Sequence, residues 1–195
     1  MILRAPKRTS SLQVILGAGG GISEALTRAL PRYTRLIRLV ARSPRKVTNH
    51  EQVLPMNLRD PEFIPDAIWG SDVVYLTVGI RYRTVQWRKQ WPLIMRNVLD
   101  ACIKTESKLV FFDNVDVYDR RHMGQITEET PVRPTTRKGR VRLKLSEMLM
   151  EEVEKGRLDA MIVRSADFYG PRIEHSMVVD NIYRRFRAGD RARWF

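Results

Sequence analysis

Short apolar runs recur along the chain and alternate with longer segments in which apolar residues have helical spacing. The runs at residues 12–16 and 73–78 are rich in leucine and β-branched residues and are followed by a glycine, which is typical of buried parallel strands. Runs of the same kind predict strands at residues 36–41, 53–54, 109–112 and 161–163. The pattern therefore predicts six strands separated by helical segments.

The segments between these runs carry apolar stripes that predict helices. In the first helix the stripe consists of Ile22, Ala25, Leu26, Ala29 and Leu30, and Pro31 ends it. A second helix begins at Asp60 and Pro61, and later stripes lie within residues 91–103, 141–153 and 178–187. Strands that alternate with helices form parallel sheets with right-handed crossovers. The prediction is an α/β fold with a doubly wound parallel sheet and helices on both faces.

Composition narrows the class of protein. The 195 residues are 43% hydrophobic and 29% charged, which indicates a folded domain of ordinary size. No apolar run approaches the ~20 residues of a membrane span, so no membrane association is expected. The single cysteine, Cys102, excludes an internal disulfide and favours a cytoplasmic location. Its place on a helical stripe indicates a core residue rather than a nucleophile.

The formal net charge of +13 indicates attraction to anions such as nucleic acid, acidic lipid or phosphorylated small molecules. The basic residues are scattered through ordinary α/β elements. Aromatic residues are not interleaved with them, and the sequence shows no recognisable nucleic-acid-binding motif of the kind that most nucleic-acid binders carry. Nucleic-acid binding is therefore the least favoured hypothesis, and a small molecule is the favoured partner.

A glycine-rich turn joins the first strand to the first helix. Glycines allow a tight turn and let backbone N–H groups approach a pyrophosphate at the positive end of the helix. The alternative is a plain glycine-rich connection, but its position in a β-α-β unit favours a Rossmann-type dinucleotide site. The residues assigned to this turn are Gly17, Gly19, Gly20, Gly21 and Ile22.

The end of the second strand bears on the choice of cofactor. Sites that prefer NAD usually place an Asp or Glu there, about 20 residues beyond the turn, to accept the ribose hydroxyls. This chain has Arg42 and Ser43 instead, and a planar guanidinium suits the oxygens of a 2′-phosphate. The alternative is a solvated basic loop. The sequence thus favours NADP(H), with NAD as the alternative cofactor.

With these residues, the chain resembles the extended and atypical short-chain dehydrogenase/reductases, the NAD-dependent epimerase/dehydratase family. Ser23 falls on the third glycine of that family's turn, and Asn57 replaces the first acid of its segment beside the adenine. The other matching positions are Leu58, Thr77, Val78, Gly79, Asn97, Val117, Tyr118 and the run 164–171, which includes Ala166. The resemblance implies that a set of these residues contacts the cofactor, namely Asn57, Leu58, Thr77, Val78, Gly79 and Ala166.

The same resemblance implies a domain organisation and an activity. Residues 1–172 would form the NAD(P)-binding domain, and residues 173–195 would begin a substrate-binding region that is shorter than the family's. The implied activity is that of an oxidoreductase or a sugar-nucleotide-type enzyme. Its substrate would be a small molecule, such as a phosphorylated compound or a nucleotide sugar. Trp194 and Phe195 suggest a truncated or split product, or a terminus that docks on a second copy or another chain.

The catalytic signature of the family is missing. Its serine position falls at Asp113 and Asn114, and residues 134–140 contain no Tyr-x-x-x-Lys. Tyr118 is an alternative proton donor, with Asp113 or Asn114 orienting the substrate, although Tyr118 also fits a packing role. Lys138 is the remaining catalytic candidate. A non-catalytic NADP(H)-binding sensor or scaffold is therefore the alternative function.

Basic residues crowd the predicted start of the fourth long helical segment, where the helix dipole disfavours cations. They are Arg137, Lys138, Arg140 and Arg142. Either an anionic ligand binds there or the side chains extend into water. No metal site is predicted, because His50, His122 and His175 lack the spacing of metal ligands.

Overall fold

The computed structural model describes residues 11–80, 84–170, 173 and 176–193. Its six strands form one parallel sheet in the order β3-β2-β1-β4-β5-β6. The strands are β1 (Leu12–Leu16), β2 (Leu36–Ala41), β3 (Gln52–Pro55), β4 (Ser71–Leu76), β5 (Lys108–Asn114) and β6 (Ala160–Ser165). The predicted doubly wound parallel sheet is confirmed. The strand order reverses between β1 and β4, the position where open α/β sheets bind their ligands.

The helices cover both faces of the sheet. They are α1 (Gly21–Ala29), α2 (Ile64–Ile68), α3 (Thr84–Thr105), α4 (Arg137–Glu154) and α5 (Arg184–Arg187). Leu30, just beyond α1, joins Ile15, Ile37 and Leu39 on one face, whereas α2, α3 and α4 share the larger core on the other. No helix in the described part of the chain combines the length and the apolar character that crossing a membrane requires.

Two predicted elements differ in detail. The predicted strand at 73–78 begins at Ser71 and ends at Leu76, so Thr77 and Val78 follow it. The single helix predicted over residues 178–187 consists of a π-helical turn, Val179–Tyr183, followed by α5.

The buried face of α1 also differs from the prediction. Ala25 and Ala29 are exposed, whereas Ser23 and Thr27 are buried. Thr27 Oγ1 donates to the carbonyl oxygen of Ser23 at 2.7 Å. A hydroxyl satisfied by its own helix can be buried. The apolar spacing was therefore wrong for Ala25 and Ala29, whereas Leu26 and Leu30 pack in the core as predicted.

Several sequence predictions lie outside the described residues. They concern Trp194 and Phe195 as a docking terminus, His175 as one of three histidines, and Pro171 at the end of the run 164–171.

Candidate functional site

The glycine-rich turn lies at the carboxyl end of β1 and is tied to both neighbouring strands. The N–H groups of Gly17 and Ala18 donate to the carbonyl oxygen of Val40 in β2, at 2.8 and 3.2 Å. Gly17 has a φ of 95°, and a Cβ atom there would lie 2.5 Å from Cα of Val78. Only glycine fits between the turn and the segment that follows β4.

Ser23 holds the turn against the start of α1. Its Oγ accepts hydrogen bonds from the N–H groups of Gly19 and Gly20 at 3.0 and 2.9 Å, and it donates to the carbonyl oxygen of Gly20 at 2.7 Å. The next two N–H groups, those of Gly21 and Ile22, open the helix and have no acceptor within it. A preorganised turn with these N–H groups at the positive helix end fits a pyrophosphate.

The segment after β4 borders the turn. The N–H and the Oγ1 of Thr77 donate to the carbonyl oxygen of Leu16 at 2.9 and 3.2 Å. Val78 contacts Gly17, and Gly79 is exposed. The structure thus brings together the sequence-predicted residues of β1, α1 and the β4 end at the reversal of strand order.

Arg42 and Ser43 lie on the other side of the turn and are exposed directly after β2. An acid that the sequence reasoning did not consider, Glu51, lies later in the same connection. It is nearly fully buried and accepts hydrogen bonds from N–H and Oγ1 of Thr48. Burial opposes its ionisation, but these bonds hold the pKa of Glu51 below its usual value. These bonds close the turn from Thr48 to Glu51, which lies in the same connection as Arg42.

The loop after β3 contains Asn57 and Leu58. Asn57 Oδ1 accepts hydrogen bonds from N–H and Nε of Arg59 at 3.3 and 3.2 Å, and Leu58 is buried. Asn97 Nδ2 donates to the carbonyl oxygen of Leu58 at 3.1 Å, which fixes this loop to α3. At the other edge of the sheet, Ala166 follows β6 and accepts a hydrogen bond from Ser165 Oγ.

A second group of polar residues lies at the carboxyl end of β5. The Asp113 side chain is fully buried, and its two oxygens lie 3.4 Å from Nε of Arg142 and 3.4 Å from Nε of Arg164. Burial raises the pKa of Asp113, although both guanidinium groups oppose this shift. Asp113, which the sequence suggested as a residue that orients a substrate, is thus held between two cations inside the protein.

Arg142 requires a correction. The sequence grouped it with three other cations that either meet an anionic ligand or extend into water. Its side chain is buried, so extension into water is wrong for Arg142. The guanidinium lies 4.3 Å from the ring centroid of Trp91 and 4.9 Å from that of Trp87. Such contacts stabilise a desolvated cation. Its spacing of three residues from Leu145 and seven from Leu149 was the sequence signal for a position on the inner face of α4.

Tyr118 and Asn114 also have partners within the protein. The Tyr118 hydroxyl accepts a hydrogen bond from Nη1 of Arg164 at 3.2 Å, and the guanidinium lies 5.1 Å from its ring centroid. Asn114 Oδ1 accepts from the N–H of Asp116, while its Nδ2 donates to Oδ2 of Asp116. Tyr118 is therefore packed and hydrogen bonded, and Asn114 caps the turn after β5.

Lys138 lies in the first turn of α4, beside the same group. Thr136 caps the helix by accepting a hydrogen bond from the N–H of Gly139. A Cβ atom at Gly139 would lie 2.4 Å from the carbonyl oxygen of Asp116, so the backbone of α4 packs directly against the backbone of the turn after β5. Lys138 Nζ lies 5.6 Å from the ring centroid of Trp87. Burial lowers the pKa of Lys138 to about 8.

Cys102 takes no part in either group of residues. It lies in the core on α3, and burial raises the pKa of its thiol to about 12. A thiol of this kind is not a reactive nucleophile at neutral pH.

A sequence model of the NAD dependent epimerase/dehydratase family matches residues 13–194, which is nearly the whole chain. The chain belongs to this family. The match includes the turn, the segments beside it and α4, so family membership holds although the Tyr-x-x-x-Lys signature is absent. No curated protein matches the chain significantly.

Solved structures of this family's fold superpose on the chain. The UDP-N-acetylglucosamine 4-epimerase from Methanobrevibacter ruminantium M1, in complex with UDP-N-acetylmuramic acid, has a TM-score of 0.76 at 15% identity over 94% of this chain and 64% of its own. The Bordetella bronchiseptica enzyme WbmG, in complex with NAD and UDP, gives 0.74 at 19% over 94% of this chain and 62% of its own. Uronate dehydrogenase from Agrobacterium tumefaciens gives 0.68 at 14% over 78% and 59%.

At these identities the superpositions establish the fold. The chain spans 59–64% of the length of these three solved proteins.

Proposed function

We propose that this chain binds NADP(H) through the turn from Gly17 to Ile22, as the cofactor-binding part of an oxidoreductase or sugar-nucleotide-type enzyme. The main support for this proposal is the close packing of Gly17 on Val78, because it fixes the turn between β1 and β4, where the strand order reverses. Ser23 supports it by holding the turn in place. The N–H groups of Gly21 and Ile22 would bind the pyrophosphate.

The remaining contacts follow from the positions of the loops around the turn. The segment of Thr77, Val78 and Gly79 would lie alongside the ribose that is next to the pyrophosphate. Asn57 and Leu58 would lie beside the adenine. Ala166 would contact the nicotinamide half from the end of β6. These assignments come from family membership together with the positions of the loops at the carboxyl ends of the parallel strands. The bound cofactor would supply hydride transfer.

The choice of NADP(H) over NAD(H) depends on the end of β2. Arg42 and Ser43 are exposed there, and the nearby acid Glu51 is held by Thr48. No carboxylate follows β2 directly to accept ribose hydroxyls. Arg42 would instead form charge-assisted hydrogen bonds with a 2′-phosphate.

Among the four catalytic candidates, Lys138 has the most suitable environment. Asp113 is enclosed by two arginines, the Tyr118 hydroxyl is bound to Arg164, and Asn114 caps a turn. Lys138 is partly exposed, and burial lowers its pKa to about 8. Its ammonium group can therefore stabilise negative charge on a substrate or donate a proton near neutral pH.

A non-catalytic NADP(H) sensor or scaffold is the second candidate function. The observation that favours it is the buried ion-pair group around Asp113, which lies where the family's serine would polarise a carbonyl. A panel of carbonyl and sugar-nucleotide substrates, followed by NADPH absorbance, separates the two functions. Turnover that Lys138→Gln abolishes would refute the sensor.

The cofactor assignment is tested by titrating the protein with NADPH and NADH. We expect tighter binding of NADPH, by about tenfold or more, since a charged hydrogen bond contributes about 1.5–3 kcal/mol. Arg42→Ala should remove most of this preference. Arg45→Ala, which deletes a second exposed cation of the same loop, should retain it. Equal affinity of the unmutated protein for both cofactors would contradict the assignment.

A further inference from the structure

The loop that carries Asn57 is fixed to its neighbours on both sides. The N–H of Met56 donates to the carbonyl oxygen of Ala41, at the end of β2, at 2.7 Å. On the other side, the carbonyl oxygen of Leu58 accepts the hydrogen bond from Nδ2 of Asn97 in α3. Because both flanking residues are held, the backbone of Asn57 has a defined place at the carboxyl end of β3.

This place is next to the residue proposed to select NADP(H). Arg42 directly follows Ala41, which lies opposite Pro55 in the parallel pairing of β2 with β3. Paired strands lie about 4.8 Å apart, so the segments that follow them begin side by side. The 2′-phosphate that Arg42 would hold and the purine are attached to the same ribose. A cofactor that engages Arg42 therefore brings its purine beside the loop of Asn57.

The Asn57 amide has one oxygen, and the protein uses it. Oδ1 accepts hydrogen bonds from the backbone N–H of Arg59 at 3.3 Å and from its Nε at 3.2 Å. An amide oxygen has two lone pairs, so these two donors occupy it. The reverse orientation of the amide would place the Nδ2 hydrogens against two donors. Nδ2, which is a donor, is therefore the atom of the amide that remains for a ligand.

The 6-position of a purine distinguishes an acceptor from a donor at residue 57. Adenine has an amino group there, which donates hydrogen bonds, whereas hypoxanthine has a carbonyl oxygen, which accepts them. A carboxylate at this position would have a second oxygen to accept from the amino group. Nδ2 of Asn57 cannot accept, but it can donate to a carbonyl oxygen or to a ring nitrogen beside the 6-position.

We propose that Asn57 is a specificity-determining residue that contacts the purine through its Nδ2 donor, so that the site also takes a dinucleotide with hypoxanthine in place of adenine. The proposal rests on the proposed function, which brings the dinucleotide to the carboxyl ends of β1 and β2. A site that accepts a hydrogen bond from the amino group discriminates strongly, because hypoxanthine leaves its oxygen unpaired. A donor at this position removes that discrimination.

Titrations of the full chain with NADPH and with its hypoxanthine analogue test the proposal. The two cofactors differ only in the purine, so the ratio of their dissociation constants reports the contact with the base. The unmutated protein should bind the analogue within about twofold of NADPH, or more tightly, since no hydrogen bond is lost. Asn57→Asp should bind NADPH about tenfold more tightly than the analogue, because its second oxygen would accept from the amino group of adenine.

Arg59→Gln is the matched control. It changes the net charge of the loop by the same amount as Asn57→Asp, but the backbone N–H at position 59 still holds Oδ1 of Asn57. Its ratio should equal that of the unmutated protein. A preference of the unmutated protein for NADPH of about tenfold would overturn the proposal, as would an unchanged ratio in Asn57→Asp. Failure of both cofactors to bind would refute the proposed function, and the proposal with it.

Discussion

Replacing Gly17 by alanine tests the contact that positions the whole cofactor turn. Two effects of the new methyl group should lower the free energy of unfolding. The φ of 95° lies in the left-handed region, which costs an alanine about 1–2 kcal/mol. The Cβ would also lie 2.5 Å from Cα and 2.6 Å from N of Val78, so the backbone after β4 must move. Overpacking of this kind costs about 1–3 kcal/mol.

Gly19→Ala is the internal control for this substitution. Gly19 has a φ of 103°, but nothing lies within 4 Å of the position that its Cβ would take. It should therefore show only the backbone cost of about 1–2 kcal/mol, whereas Gly17→Ala should lose about 2–5 kcal/mol. The effect of alanine on the unfolded chain is the same in both variants and cancels in the comparison.

Urea unfolding followed by tryptophan fluorescence measures both variants, because Trp87 and Trp91 are buried in the core. The midpoint should fall for both variants and further for Gly17→Ala, with unchanged slopes. If Gly17→Ala is no less stable than Gly19→Ala, the turn does not pack against Val78. The assignment of the pyrophosphate site to this turn would then be wrong.

Two further predictions concern the group at the end of β5. Asp113→Asn should lower the free energy of unfolding by about 3–5 kcal/mol in urea titrations, because Arg142 would keep a buried charge without its carboxylate. A loss under about 1 kcal/mol would show that this ion pair is not buried. Lys138, with a pKa of about 8, should have roughly a quarter of its amine neutral at about pH 7.5, against about one in a thousand for an ordinary lysine. Mass spectrometry should therefore find Lys138 acylated faster in the folded protein than in the urea-unfolded protein at about pH 7.5, and equal rates in the two states would contradict the lowered pKa.

Much of the fold followed from local sequence features. The apolar runs predicted all six strands. For a central strand such as β1 the reason is that a strand buried between two helical layers needs apolar residues on both sides. The turn was recognisable because a close backbone approach such as that of Gly17 to Val78 leaves glycine as the only residue that fits. Family membership, which the turn and the segments beside it suggested, is confirmed.

The group around Asp113 could not be predicted, because its members meet only when the sheet forms. Arg164 on β6 reaches Asp113 across the pairing of β5 with β6, and Arg142 reaches it from α4. Sequence distance does not reveal which cations surround a buried carboxylate. The charges at the start of α4 therefore appeared to form one exposed set, whereas the structure separates buried Arg142 from exposed Arg140.

The proposed function depends on a dinucleotide that binds at the turn between β1 and α1. Amide NMR spectra of the labelled protein during an NADPH titration test it most directly, since each N–H group reports its own contact. We expect the largest saturable shifts at Gly21 and Ile22, and no shift at Gly156, which follows α4. Saturable binding that leaves the amides of residues 17–23 unshifted would contradict it.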